Sequence, residues 1–356
     1  MRWDLFCKVV DNLGDVGVGW RLAADLAGRG ETVRLCLDER AALAWMAPAG
    51  AAGVEVLGWP QAEAMQPADV VVEAFGCGLP SGYAARMVRP VPPVWIDLEY
   101  LSAEPYVERS HGLPSPRFEG PCAGLTQWFF YPGFTPKTGG LPCEPDLLER
   151  QRVFEPLTWL RSQRLLGEVG ETGERGERRV SLFCYENPAL DRLLDHLARE
   201  PTVLLVAAGG PAQQVTERLG PTLRRGALRA VLLPPLTQRD YDHLLWSCDL
   251  NVVRGEDSFV RAQWAGAPFL WQAYRQSDDA HRGKVEAFLD RFLRDAPAEL
   301  ADDLRRLLRA WNRFAEWPDG LPSAGRWRAH CLDWRSRLAA QPDLTTQLLR
   351  FAAERR

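Results

Sequence analysis

Short apolar runs bounded by turn residues alternate with segments of helical spacing along this chain, and the series stops once and starts again. The first series holds five strand-like runs: WDLFCKVV (3–10), TVRLCL (32–37), GVEVLG (53–58), DVVVEAF (69–75) and PVWIDL (93–98). Between the first two, residues 17–29 read as a helix, with Val18, Leu22 and Leu26 on one face. The stretch LLGEVGETGERGERR (165–179) has little to bury and reads as a linker or mobile loop. A second series follows: VSLFCYE (180–186), TVLLVAAGG (202–210), LRAVLLP (228–234), DLNVVR (249–254) and FLWQ (269–272). Within it TQRDYDHLLWS (237–247) is a helix that Thr237 caps, with Asp240 three residues on. From about 278 the pattern is helical, ending in the amphipathic TTQLLRFAAERR. Short apolar runs between helices are the mark of buried parallel strands. At 356 residues the chain also exceeds the roughly 250–300 residues one core supports. The fold class expected is therefore α/β, with two Rossmann-like domains, 1–155 and 180–339, facing across a cleft and joined through 156–179. Ligands in such sheets sit at the carboxyl ends of strands.

Residues 103–146 break the rhythm, being rich in Pro, Gly and aromatics. Two readings stand: a functional lid, or a structured loop that covers a sheet edge. Composition narrows the classes of function. An apolar fraction of 46% and a charged fraction of 25% are those of an ordinary globular chain, and a net charge of −4 argues against a general nucleic-acid binder. No apolar stretch approaches the ~18 residues of a spanning helix. The eight cysteines form no CxxC pair and mostly sit in apolar runs, which predicts reduced, buried thiols in a cytoplasmic protein. The opening MRWDLFCKVV enters a strand pattern at once, without the order of a signal peptide.

The loop after the first run reads VVDNLGDVGVGWR (9–21). Gly14, Gly17 and Gly19, with Asp38 at the end of the second run, suggest a dinucleotide site, but the glycine spacing is the reverse of the usual fingerprint. The charge opposes that site as well. Asp11 and Asp15 would face a pyrophosphate, and like charges within ~4–6 Å disfavour each other. Two carboxylates at a strand end suit a cationic or proton-donating group. The architectural reading has Asp11 and Asn12 in an Asx-turn and Asp15 capping the helix.

A second constellation is RGEDSFVRAQWAGAPFLW (254–271). A strand ends at Arg254, Gly255 allows a turn, and Asp257 or Ser258 can cap the helix that follows. Such a helix start suits phosphate, and Ser258 adds a hydroxyl donor. An ordinary capped helix is the alternative. A third is SLFCYEN (181–187), where Phe183 and Tyr185 are core residues or contacts for a base or phosphate. The five histidines lack metal-ligand spacing, and no GxSxG, HExxH or P-loop pattern occurs.

The stretch WDLFCKVVDNLGDVGVGWRLAADL resembles the N-terminal signature of the elongation factor P arginine rhamnosyltransferases. EAFGC (73–77), WFFYPGF (128–134), SLFCYE (181–186) and NVVRGEDSFVRAQWAGAPFLWQ (251–272) resemble the same family in the same order. The resemblance implies a GT-B glycosyltransferase that moves L-rhamnose from dTDP-β-L-rhamnose to an arginine of elongation factor P, with inversion. It implies an N-terminal domain for the protein acceptor, a C-terminal domain for the nucleotide sugar, and a last helix, about 340–356, packed back on the first domain. The catalytic aspartates fall on Asp11 and Asp15. The nucleotide-sugar residues fall on Phe183, Tyr185, Gln238, Tyr241, Glu256, Asp257 and Ser258, with no metal and no cofactor. Two other readings of the residues stand beside it: a two-domain NAD(P)-dependent oxidoreductase, and a GT-B transferase with another acceptor.

Overall fold

The computed structural model describes residues 1–9, 14–165, 177–275 and 280–356. The chain divides into two compact units, Met1–Pro145 with Leu338–Arg356, and Asp146–Arg337. The first contains β1 (Arg2–Cys7), α1 (Gly14–Gly28), β2 (Thr32–Leu37), α2 (Leu43–Met46), β3 (Val54–Gly58), α3 (Trp59–Ala62), β4 (Val70–Ala74), α4 (Ser81–Met87), β5 (Val94–Leu98), α5 (Pro105–Ser110), β6 (Pro114–Pro116) and β7 (Thr126–Phe130). The second begins with α6 (Leu147–Arg152) and α7 (Pro156–Ser162), followed by β8 (Arg178–Leu182), α8 (Leu190–Leu197), β9 (Thr202–Val206), α9 (Gly210–Leu219), β10 (Arg224–Arg225) and β11 (Leu228–Leu232). It continues through α10 (Gln238–Trp246), β12 (Leu250–Arg254), α11 (Asp257–Ala265), β13 (Phe269–Gln272), α12 (Ala280–Phe292), α13 (Ala298–Trp311) and α14 (Ala324–Ala339). The last helix is α15 (Leu344–Ala353). Among the described residues no helix is long and apolar enough to cross a membrane.

The first sheet has the order β3-β2-β1-β4-β5-β7-β6, parallel except for its edge strand β6. The second has the order β10-β11-β9-β8-β12-β13, parallel except for the two-residue β10. In each, chain order reverses direction beside the first strand, between β1 and β4 and between β8 and β12. That reversal splits the loops apart and leaves a crevice at the carboxyl ends.

Alternation sorts the first sheet's side chains by face. Leu5 and Cys7 of β1, Val70, Val72 and Ala74 of β4, and Ile96 and Leu98 of β5 pack under α1, against Val16, Trp20, Ala23 and Leu26. Phe6, Val71 and Trp95 point the other way, against Tyr83 and Met87 of α4. Helix α15 returns to the α1 face through Leu344, Leu348, Phe351 and Ala352. Its start is clipped by charge: Asp343 Oδ1 accepts from Thr346 N (2.9 Å) and pairs with Arg29 (2.7 Å).

Two expectations differ from the structure. The stretch 103–146 carries β6 and β7, so it extends the sheet as well as looping. The aromatic run TQWFF supplies β-propensity that its Pro and Gly flanks mask, and the prolines of β6 sit on an edge, where a missing N–H does least harm. The boundary between the compact units falls after Pro145, ahead of residue 155, because Phe154, Leu157, Trp159 and Leu160 of the α6–α7 segment pack with Val203, Leu205 and Leu244 of the second unit. Most of the expected loop 165–179 lies outside the described residues.

The helices that flank the second sheet's crevice are tied together below it. Arg261 of α11 donates from Nε to Asp242 Oδ1 (2.9 Å) and from Nη2 to Oδ2 (2.7 Å), and both side chains are about 2% exposed. Asp242→Ala leaves a buried guanidinium without that carboxylate, which costs about 3–5 kcal/mol. The expected result is a large fall in denaturation midpoint, part of which Asp242→Leu with Arg261→Met restores. Equal stability of Asp242→Ala and the parent protein would refute it.

Glu73 and Asp97 are register partners on β4 and β5, both buried. Burial, then the Glu73 and Glu99 carboxylates, push the Asp97 carboxyl up to about 7. The folded protein therefore keeps a proton between about pH 4 and 7 that the unfolded chain gives up, so this group's contribution falls as pH rises through that window. The gap in melting temperature between Asp97→Asn and the parent should move in the variant's favour from about pH 4 to 8. A gap that does not change with pH counts against it.

Candidate functional site

The crevice of the second sheet is built from the ends of β8 and β12. Beyond β8 the chain stays extended: Phe183 N donates to Val252 O (2.8 Å) and Tyr185 N to Gln272 Oε1 (3.0 Å). Beyond β12, Gly255 takes φ +63°, a left-handed turn that glycine makes without strain, and α11 begins. The Arg254 guanidinium lies over both aromatic rings, 4.4 Å from the Phe183 centroid and 4.3 Å from the Tyr185 centroid. From the neighbouring helix α10, Tyr241 meets Phe183 edge-on at 5.9 Å, and burial first pushes its hydroxyl above the ordinary range. Gln238 stands one turn earlier on α10. Thr237 Oγ1 caps α10 by accepting from Asp240 N (3.1 Å), as its spacing suggests.

Phe183, Tyr185, Tyr241, Glu256, Asp257 and Ser258 thus surround one strand-end crevice, with Gln238 on the same helix as Tyr241. Ser258 also makes contacts that the sequence reading did not include. Its hydroxyl donates to Arg254 O and accepts from Arg254 N (3.2 Å), so it closes the turn between β12 and α11. Arg254 is the residue the sequence reading took only for a strand end. The signal was present: a cation directly before a glycine turn and a helix start, with two aromatics one strand away. At the helix start its charge adds to the positive end of the α11 dipole.

The crevice of the first sheet lies where β1 ends at Cys7. Asp15 sits in the first turn of α1, 3% exposed. Burial, and next the Asp15 carboxylate, push the Cys7 thiol above its ordinary range. Asp11 lies outside the described residues. Helix α1 begins at Gly14, three residues ahead of the expected start at 17, so Gly14, Gly17 and Gly19 are all within it. A Cβ on Gly19 would meet Leu35 Cδ1 at 3.7 Å and Cys7 Cβ at 3.8 Å, so this glycine belongs to the packing of α1 on the sheet. Asp38 Oδ1 accepts from Val9 N (3.0 Å) and Glu39 N (2.9 Å), which spends on backbone the acid a dinucleotide site would offer to ribose. Among the described residues no three His, Cys, Asp or Glu side chains gather as a metal set would.

Comparison with known proteins gives the family and the fold. The family model of the elongation factor P (EF-P) rhamnosyltransferase EarP matches residues 3–353. The protein-arginine rhamnosyltransferase of Pseudomonas putida is 46% identical over 373 residues, 98% of each chain. A solved structure concerned with EarP-mediated arginine glycosylation of translation elongation factor EF-P is 33% identical, with a TM-score of 0.65 over 99% of each chain. The glycosyltransferase VinC, at 15% identity and a TM-score of 0.52 over the full length of both chains, shares the fold. The chain has the GT-B fold, is a glycosyltransferase, and belongs to the EF-P rhamnosyltransferase family of protein-arginine rhamnosyltransferases.

Proposed function

We propose that this chain moves L-rhamnose from dTDP-β-L-rhamnose to an arginine side chain of translation elongation factor P, with inversion at the anomeric carbon. The named activity of its relatives supports the acceptor and the sugar. The observation that carries the donor half is the Arg254 guanidinium laid over Phe183 and Tyr185 at the head of α11. A departing nucleoside diphosphate there gains a fixed positive charge and a helix dipole. The base lies against the aromatic wall of Phe183 and Tyr241, with Gln238 beside it, and Glu256 and Asp257 meet the ribose and the turn at the phosphates. Ser258 holds that turn in shape.

The acceptor half rests on Asp15 and Asp11. An arginine guanidinium is cationic, with a pKa above ~12, and a poor nucleophile. One carboxylate holds the planar group by paired hydrogen bonds, and the other takes its proton. In this reading a guanidinium nitrogen bonds to the anomeric carbon as the carbon–oxygen bond to dTDP breaks. The bond pair leaves on the diphosphate and the proton goes to Asp15, with Asp11 orienting. No metal or cofactor is required by these steps. The work is cytoplasmic, where the acceptor is and where eight free cysteines stay reduced.

Intact mass spectrometry of elongation factor P incubated with this protein and dTDP-rhamnose should show one added deoxyhexose; no addition overturns the proposal. Asp15→Asn should lower kcat by roughly a hundredfold or more while dTDP still binds. Loss of dTDP binding in that variant contradicts the assignment of the first unit to the acceptor. Arg254→Met should weaken dTDP about ten- to a hundredfold, as expected for charge-assisted bonds; unchanged affinity removes Arg254 from the donor site. Treatment with EDTA should leave the rate unchanged, and its abolition would require a metal.

A further inference from the structure

The turn after β4 violates the alternation that governs the rest of the strand. Val71 and Glu73 point away from α1, and Phe75 by the same period belongs with them. Instead Phe75 takes φ +60°, a left-handed conformation that a bulky side chain rarely adopts. The twist carries its ring over to the α1 face, where it packs against the same core as Ala74. There it stacks on Tyr100, the second residue beyond β5, with centroids 4.3 Å apart and planes 13° from parallel.

The turn is over-determined. Phe75 N donates to Leu98 O (2.7 Å) and Cys77 N to Ala74 O (3.2 Å). Glu73 Oε1 accepts from Gly78 N (2.7 Å), and Asp97 accepts from the Gly76 amide. Gln127 Nε2 holds the other Glu73 oxygen (3.1 Å). Two buried carboxylates on the far face of the sheet thus brace a strained turn whose ring emerges on the near face.

Packing alone gives little reason for the strain, because both rings remain partly exposed. Their place gives one. They follow β4 and β5, on the face of α1, beside the crevice whose other wall carries Asp15. Guanidinium groups stack on aromatic faces, and flat stacking leaves their in-plane N–H groups for carboxylates. We propose that the Phe75–Tyr100 stack is the acceptor-binding shelf on which the guanidinium of the substrate arginine lies, with Glu73 and Asp97 as positioning residues. The inference rests on the reading of the first unit as the acceptor site. It makes the shelf a determinant of arginine over lysine, whose compact ammonium has no planar face to lay on it.

Steady-state kinetics with full-length enzyme, elongation factor P and dTDP-rhamnose test this. Tyr100→Leu and Phe75→Leu should raise the KM for the acceptor protein roughly three- to thirtyfold, with the KM for dTDP-rhamnose unchanged. Tyr100→Phe keeps the ring and should stay near the parent value. Phe75→Gly relieves the left-handed strain, so its melting temperature should hold while its acceptor KM rises. Glu73→Ala should raise the acceptor KM, and Glu73→Gln, which still accepts from Gly78, should restore it. Unchanged acceptor KM in folded Tyr100→Leu overturns the shelf, and so does a Phe75→Gly variant that loses only thermal stability. Failure of the parent protein to modify elongation factor P in the same assay instead overturns the acceptor reading beneath it.

Discussion

Parallel strands all end in the same direction, and the functional geometry of this chain depends on that constraint. Every β-to-α loop of a sheet opens at one edge, and the only gap along that edge is where strand order reverses. The chain makes the arrangement twice, as β3-β2-β1-β4-β5 and as β11-β9-β8-β12-β13. The two gaps then differ in charge. One is lined by a buried carboxylate at the head of α1; the other is headed by a guanidinium on two aromatic rings in front of α11. One scaffold, used twice, sets the local field of a carboxylate at one helix start and that of a guanidinium at the other.

Those fields are useful only if their bearers are held still. Asp242 and Arg261 join α10 to α11, so Tyr241 on one helix and the turn that leads into the other keep their spacing. Ser258 closes that turn on the Arg254 backbone, from both its donor and acceptor sides. In the first unit, Arg29 fastens the start of α15 to α1, and the helix then covers the α1 face of the sheet. Each tie is a charged or hydroxyl group spent on architecture, and in the second unit the ties lie within a few residues of the crevice.

This division of labour explains what was legible in the sequence. Strands with period-two or continuous apolar character were readable: TVRLCL and FLWQ match β2 and β13 end to end, while VSLFCYE and TVLLVAAGG overrun β8 and β9 by four residues at their carboxyl ends. The two crevices were readable as positions, because polar residues crowd the strand ends there. The strand TQWFF was not, since Pro and Gly on both sides outweigh five residues of propensity. The start of α1 was read three residues late, at 17, because Gly14 and Asp15 read as part of the loop before it. The family resemblance brought Ser258 forward as a ligand and left Arg254 as a strand end. Only geometry separates a hydroxyl used on its own turn from a cation laid over two rings.

The burial of Asp15 bears on how a carboxylate could handle a guanidinium at all. In water an aspartate is far too weak a base to deprotonate arginine, since their ordinary pKa values lie some eight units apart. Two effects narrow the difference. Burial in general favours the protonated form of a carboxylate, and Asp15 is 3% exposed. More important is timing. Once a guanidinium nitrogen has begun to bond to the anomeric carbon, its lone pair is committed and its proton becomes strongly acidic. The base then acts on the product side of the barrier, where a pKa near that of an ordinary acid is enough. A carboxylate is therefore adequate as the base of the proposed reaction provided the guanidinium is held flat and close before bond formation, so that orientation, not basicity, is what such a site would have to supply.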